Sequence, residues 1–140
     1  MINLQQILAA INLKLANKFG IDINSNDIKE GFKRPSFFVQ FENILKTDYL
    51  YHTDRQLTVR IYYFPTNKHQ YQLEVLEKQE EIEELFRLGV AVGDRYIDVV
   101  DGIEADITDG VLMVSFDLSY SYKVEEIDTS EKMGDLYVGN

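Results

Sequence analysis

Leu112-Met113-Val114-Ser115-Phe116-Asp117-Leu118-Ser119-Tyr120-Ser121-Tyr122 is the stretch on which the reading of this chain turns. Leu112, Val114, Phe116, Leu118, Tyr120 and Tyr122 fall on one side of it, and Ser115, Asp117, Ser119 and Ser121 hold most of the other. A period of two is the mark of a strand with one buried and one wetter face. Asp109-Gly110 precedes it, the dipeptide that suits a two-residue turn with positive φ at both positions. Folding back there pairs Thr108 with Val111 and sets Ile107, Ala105 and Ile103 opposite Leu112, Val114 and Phe116. Turn and pattern thus demand the same register, and one apolar sheet face has to be covered.

Two amphipathic stretches can cover it. Leu4, Ile7, Leu8, Ile11 and Leu15 recur at helical spacing within residues 2–18, Phe19 extends the stripe, and Gly20 stops it. His69–Leu88 reads as a second helix about 30 Å long, with Val75, Ile82 and Phe86 inward and Lys78, Glu80, Glu81, Glu83 and Glu84 outward. Gln79 interrupts its stripe and needs a margin or a partner.

Three further segments alternate as strands: Ile21–Asn24, Ser36–Ile44 and Gln56–Phe64, the last closed by Pro65. Lys46–Arg55 loses its period and reads as a loop or a splayed hairpin end. Gly89 and Gly93 break the chain, Tyr96–Val100 can pair at an edge, and Asp101-Gly102 reads as a turn. The expected fold is therefore α+β: a mixed, mostly antiparallel sheet of four to six strands with two helices on one face. Residues 1–123 form the expected domain and 124–140 an acidic arm ending in Leu136-Tyr137-Val138.

The chain has 140 residues, no cysteine and a formal charge of −10. A length of this order buries roughly two thirds of the unfolded surface without a staple. Missing cysteine removes disulfides, thiolate metal sites and cysteine nucleophiles, and agrees with assembly in a reducing cytoplasm. Neither a charged leader with an apolar run nor a membrane-length apolar stretch is visible, so a soluble protein is expected. The acidic balance argues against tight or sequence-specific binding to nucleic-acid phosphates.

No residues mark out hydrolytic chemistry. His52 with Asp54 could be a base and its orienting carboxylate, but the charged surroundings favour plain surface residues; His69 reads as surface too. Asp98, Asp101, Glu104 and Asp106 lack the spacing and glycine of a calcium loop and read as solvated carboxylates. No catalytic residue, metal ligand or cofactor site is expected.

Surface-forming residues carry more information. Phe38, Tyr62 and Phe64 with Arg60 lie on the sheet face away from the helices, which makes that face too aromatic to be merely wet. Lys29, Lys33 and Arg34 are the one basic concentration in an acidic chain, suited to ordinary loop duty or to an acidic face of a partner. Leu136, Tyr137 and Val138 would anchor the arm on a neighbour by strand addition.

Taken in order, a helix, Ile28-Lys29-Glu30-Gly31-Phe32-Lys33-Arg34-Pro35, Tyr62-Tyr63-Phe64-Pro65, an acidic helix and the Leu112–Tyr122 strand resemble the tail terminator proteins of tailed bacteriophages. The resembling branch is that of Gram-positive hosts and their phage-derived contractile particles, and it covers residues 2–123. The resemblance implies a structural virion protein assembled in the host cytoplasm. It implies a homo-hexameric ring at the head-proximal end of the tail tube that caps the sheath of a contractile tail and offers the head-joining surface. Implied partners are further copies of itself, tube protein, sheath protein and head connector, with no membrane and no specific nucleic acid, the lumen staying open to DNA. Another head–tail connector or tail completion protein of similar size is the alternative, and an enzyme built on His52 the remote one.

Overall fold

The computed structural model describes residues 2–24, 33–67 and 69–124. The elements run α1 (Leu4–Phe19), β1 (Asp22–Asn24), β2 (Ser36–Asp48), β3 (His52–Phe64), α2 (Gln72–Leu85), β4 (Gly89–Val92), β5 (Arg95–Thr108) and β6 (Val111–Lys123). The sheet order is β1-β2-β3-β6-β5-β4, with β1 parallel to β2 and every other neighbour antiparallel. This is the expected α+β arrangement, and its mixed character comes from β1 alone.

The terminal hairpin has the register its sequence demands: Thr108 pairs with Val111, Ile107 with Leu112, Ala105 with Val114 and Ile103 with Phe116. Asp109 and Gly110 take φ of 52° and 77°, the positive values of a primed turn. Inward residues of β3 and β6, among them Val59, Ile61, Leu112, Val114 and Leu118, are fully buried.

Both helices lie over that face and share its core. Ile7, Ile11 and Leu15 of α1 and Val75 and Ile82 of α2 have no exposed area. Phe86 at the end of α2 packs on Phe116, ring centres 5.1 Å apart, and Phe19 on Phe37 at 5.3 Å. Burying each such side chain is worth about 1.5–3 kcal/mol, which fixes the helices far more firmly than their own propensities do. α1 begins on a capping box, Asn3 Oδ1 accepting from the Gln6 N–H at 2.9 Å and Gln6 Oε1 from the Asn3 N–H at 2.8 Å. It ends on Gly20 in the left-handed conformation, φ 65°.

Four details differ from expectation, each for a local reason. The second helix starts at Gln72, not His69, because Asn67 Oδ1 accepts the N–H groups of His69 and Gln70 and holds them in a turn. It stops at Leu85 because the chain leaves for β4, a strand the glycines hide; Gly89 has φ 152°, and a Cβ there would stand 2.2 Å from the Ile97 carbonyl oxygen. Of the two readings of Lys46–Arg55, loop or splayed hairpin end, the structure has a hairpin end, and a paired one: β2 continues to Asp48 and β3 starts at His52, after a bulge between Glu42 and Leu45 shifts the register. Asp101-Gly102 is likewise a bulge inside one long β5, with Asp101 at φ 67°, and not a turn between two strands.

Candidate functional site

Alternation that buries one sheet face presents the other, and among the described residues no helix covers it. Across this outer face, Gln40 of β2, Arg60 of β3, Ser115 of β6 and Glu104 of β5 stand in one cross-strand row. The Arg60 guanidinium is its centre: Nε donates to Glu42 Oε1 at 2.5 Å and Nη1 to Met113 Sδ at 2.9 Å, while Gln40 Nε2 donates to Glu42 Oε2 at 2.9 Å. With both side chains about 30% exposed, the Arg60–Glu42 pair fixes geometry more than it adds stability.

In the neighbouring row Phe38 and Tyr62 are half-buried and tilt against each other, centres 6.1 Å apart. Phe64 departs from the reading of an open aromatic: it is 2% exposed, with the Arg34 guanidinium 5.9 Å from its ring centre. Arg34 also donates from Nη1 to the Pro65 carbonyl at 3.1 Å, which ties the loop before β2 to the end of β3. Lys33 is exposed, 3.7 Å from Asp22. The structure thus brings Arg34 and Phe64 together, and Phe38, Arg60 and Tyr62 together. Lys29 and Leu136, Tyr137 and Val138 lie outside the described residues, as does the rest of the arm beyond Val124.

The two bulges sit on one line across the sheet. Asn43 in β2 and Asp101 in β5 flank a groove of about 520 Å³ whose floor includes Thr58, Asp117 and Ser119. Thr58 Oγ1 donates to Asp117 at 2.6 Å, and Asn43 Nδ2 donates to Thr58 Oγ1 at 3.5 Å. The bends interrupt an otherwise regular face and leave it concave and polar at its middle.

Sequence reasoning missed a third feature, the tip of the β2–β3 hairpin. Ile44, Leu45, Tyr49, Leu50 and Tyr51 project there, Leu50 at 79% exposure, and Val124 joins them by donating its N–H to the Tyr51 carbonyl at 3.0 Å. The available signal was Tyr49-Leu50-Tyr51 inside a charged stretch; exposed on both faces, the tip shows no alternation to detect. Exposed apolar groups gathered in this way make the tip a candidate interaction surface.

Catalytic readings gain nothing from the geometry. His52 Nε2 stands 3.6 Å from Asp54 in the open, its ring stacked on Tyr49, and Asp54 accepts from the Ser121 hydroxyl. Among the described residues no group of three or more His, Asp or Glu is placed to hold a metal, and no helix is long and apolar enough to cross a membrane. Burial pushes the Tyr120 phenol above its ordinary value against the opposing pull of Arg55, which keeps that inner-face group neutral.

An open aromatic face with a fixed arginine, a polar crease and an apolar tip is equipment for docking. A family model of phage tail terminator proteins matches residues 6–131 of the chain. The chain belongs to the phage tail terminator family. It is therefore a structural phage tail protein, and the match runs past Lys123 into the segment that the sequence reading had set apart. A comparison with curated proteins found no match. For a tail terminator the outer face and the tip are the natural places to look for contacts with other tail components.

Proposed function

We propose that this tail terminator forms a ring of six copies on the last ring of the tail tube, stops tube growth there, caps the sheath where the tail contracts and presents the surface that the head connector joins. Family membership over residues 6–131 is the observation that carries this reading. The outer face supports it, because arginine and tyrosine held in place by neighbours are the side chains that contribute most when buried in an interface. Arg60, Tyr62 and Phe38 supply the anchors, Phe64 backs the loop that displays Lys33 and Arg34, and Lys29 belongs to the same basic loop.

Partners are further copies of itself, tube protein, sheath protein and head connector. Residues 124–140 serve as the arm, with Leu136, Tyr137 and Val138 held by a neighbouring subunit and residues 1–123 as the domain. Six copies would carry about −60, so DNA passes the lumen without adhering to it. We infer no catalysis and no cofactor, and a head-proximal place in a particle assembled in the host cytoplasm.

Electron microscopy of particles carrying a tagged copy tests the placement. Tag density at the head-proximal end of the tube is expected; density along the tube or at the baseplate would overturn the proposal.

A further inference from the structure

The hairpin that joins β2 to β3 ends in an apolar knob. Of the twelve large apolar side chains exposed among the described residues, six belong to this end of the molecule, and Tyr49, Leu50 and Tyr51 at the turn are each more than half exposed. The turn is held in shape: the Tyr49 N–H donates to the His52 carbonyl at 2.8 Å, and the Tyr49 ring stacks on His52 with centres 4.6 Å apart. A knob fixed in this way loses little freedom when it is covered. Around it Lys46, Arg55 and Lys123 stand against Asp48 and Asp54, so this end is not acidic although the chain carries −10.

The chain itself supplies an occupant. Val124, the last described residue, donates its N–H to the Tyr51 carbonyl at 3.0 Å, so the segment that follows departs from beside the knob. Leu136 stands twelve positions beyond Val124, a span of about 40 Å when extended. Glu125, Glu126, Asp128, Glu131 and Asp135 against Lys132 occupy the interval, and a linker dominated by one sign of charge repels itself and extends. A spacer of that composition carries Leu136-Tyr137-Val138 away from the knob beside which it starts.

A domain of this size is roughly 35 Å across, so in a ring the knob of the adjacent copy is within that span. Leu136, Tyr137 and Val138 carry no charge and match an aromatic and apolar surface, and the cations around the knob let an acidic spacer approach it. Each copy then gives one anchor and receives one. Such a contact is heterologous, repeats from subunit to subunit and closes with the ring.

We propose that Leu136-Tyr137-Val138 of one copy pack on the knob formed by Tyr49, Leu50 and Tyr51 of the adjacent copy. This rests on the ring reading and names the contact that joins its neighbours. The chain has no cysteine, so two introduced thiols report the contact without background. Full-length Leu50→Cys and Tyr137→Cys variants, mixed, assembled on tail tubes and treated with a short bismaleimide, should give cross-linked dimers with one chain of each kind. Leu50 is exposed, so its substitution leaves the fold intact. A chain carrying both substitutions should give a ladder of multimers. Linkage only within single chains would place the anchor on its own knob, and linkage of the Leu50→Cys variant only to another tail protein would give the knob to that partner; either result overturns the proposal. Leu50→Asp should fold yet assemble about tenfold less well on tubes, and unchanged assembly would also overturn it. Rings seen on tubes with no linkage between copies would overturn the contact and leave the ring standing. An unsubstituted chain that forms no ring even on tubes would overturn both.

Discussion

The phenol of Tyr63, at the end of β3, donates to the carboxylate of Glu74 in the first turn of α2, and the same Glu74 oxygen accepts the Thr66 N–H at 2.9 Å and the Thr66 hydroxyl at 3.1 Å. One carboxylate thereby joins sheet, connection and helix. It also serves a helix start whose N-cap, Tyr71, makes no side-chain cap bond. Burial, and then Glu74, hold the Tyr63 phenol well above its ordinary value. Burial opposes ionisation of Glu74, but the bonds from Tyr63 and Thr66 and the charge of Lys78 outweigh it and set its value low.

Stability should therefore fall at both ends of the pH range. The depressed Glu74 contributes above its unfolded value of about 4.5, and that contribution disappears as pH falls through the lower folded value. The raised Tyr63 contributes fully below its unfolded value of about 10, and loses this as pH rises beyond it. Urea unfolding across pH should show Glu74→Gln flattening the acid limb and Tyr63→Phe costing about 1–2 kcal/mol at neutral pH.

Gly89→Ala should be among the most damaging single-methyl additions in the chain. The new Cβ meets the Ile97 carbonyl oxygen at 2.2 Å and the Tyr96 ring at 2.9 Å, at φ 152°. A loss of about 2 kcal/mol or more is expected in thermal unfolding, with faster amide exchange concentrated in Val90 and Val92. An unchanged melting temperature would mean that β4 is not held against β5 as described.

Asp101→Gly should act in the opposite direction. Asp101 sits at φ 67° with its side chain exposed, so glycine removes a left-handed penalty of about 1 kcal/mol and deletes no buried contact. Unfolding midpoints that stay level or rise agree with this, and a marked fall would show that the carboxylate holds the bulge together.

Much of this fold is legible in the sequence, because alternation and turn chemistry agree where one face is buried. The Thr108–Val111 register, the inward row of β3 and the α1 stripe follow directly from that agreement. Legibility ends where burial ends. Ile44 to Tyr51 carry apolar side chains on both faces of a protruding hairpin, so no period marks them as strand. Gly89 reads as a breaker because glycine is usually one, whereas here close backbone approach to Ile97 requires it. For the outer face, sequence pattern found the rows of Phe38, Tyr62 and Arg60 but placed Phe64 among the open groups. A strand residue next to a chain reversal is shielded by whatever loop returns over it, and alternation carries no information about loops.

Removing the outer-face anchors should separate assembly from folding. Tyr62→Ser with Arg34→Glu should leave a cooperative fold, destabilised by about 1–3 kcal/mol, because Tyr62 is half-buried and the exposed Arg34 gives up its bond to the Pro65 carbonyl. Attachment to tails should be lost in co-sedimentation with tail tubes. Full attachment of the double variant would show that the contact lies elsewhere, with the apolar hairpin tip around Leu50 the next surface to change.

The length of tails made without this protein tests the central claim most directly. Particles produced from a genome in which the chain is deleted, and measured one by one by electron microscopy, should carry tubes that run past the normal length with a broad distribution and no joined heads. Tails of normal, uniform length in its absence would contradict the account, because the end of the tube would then be set without it.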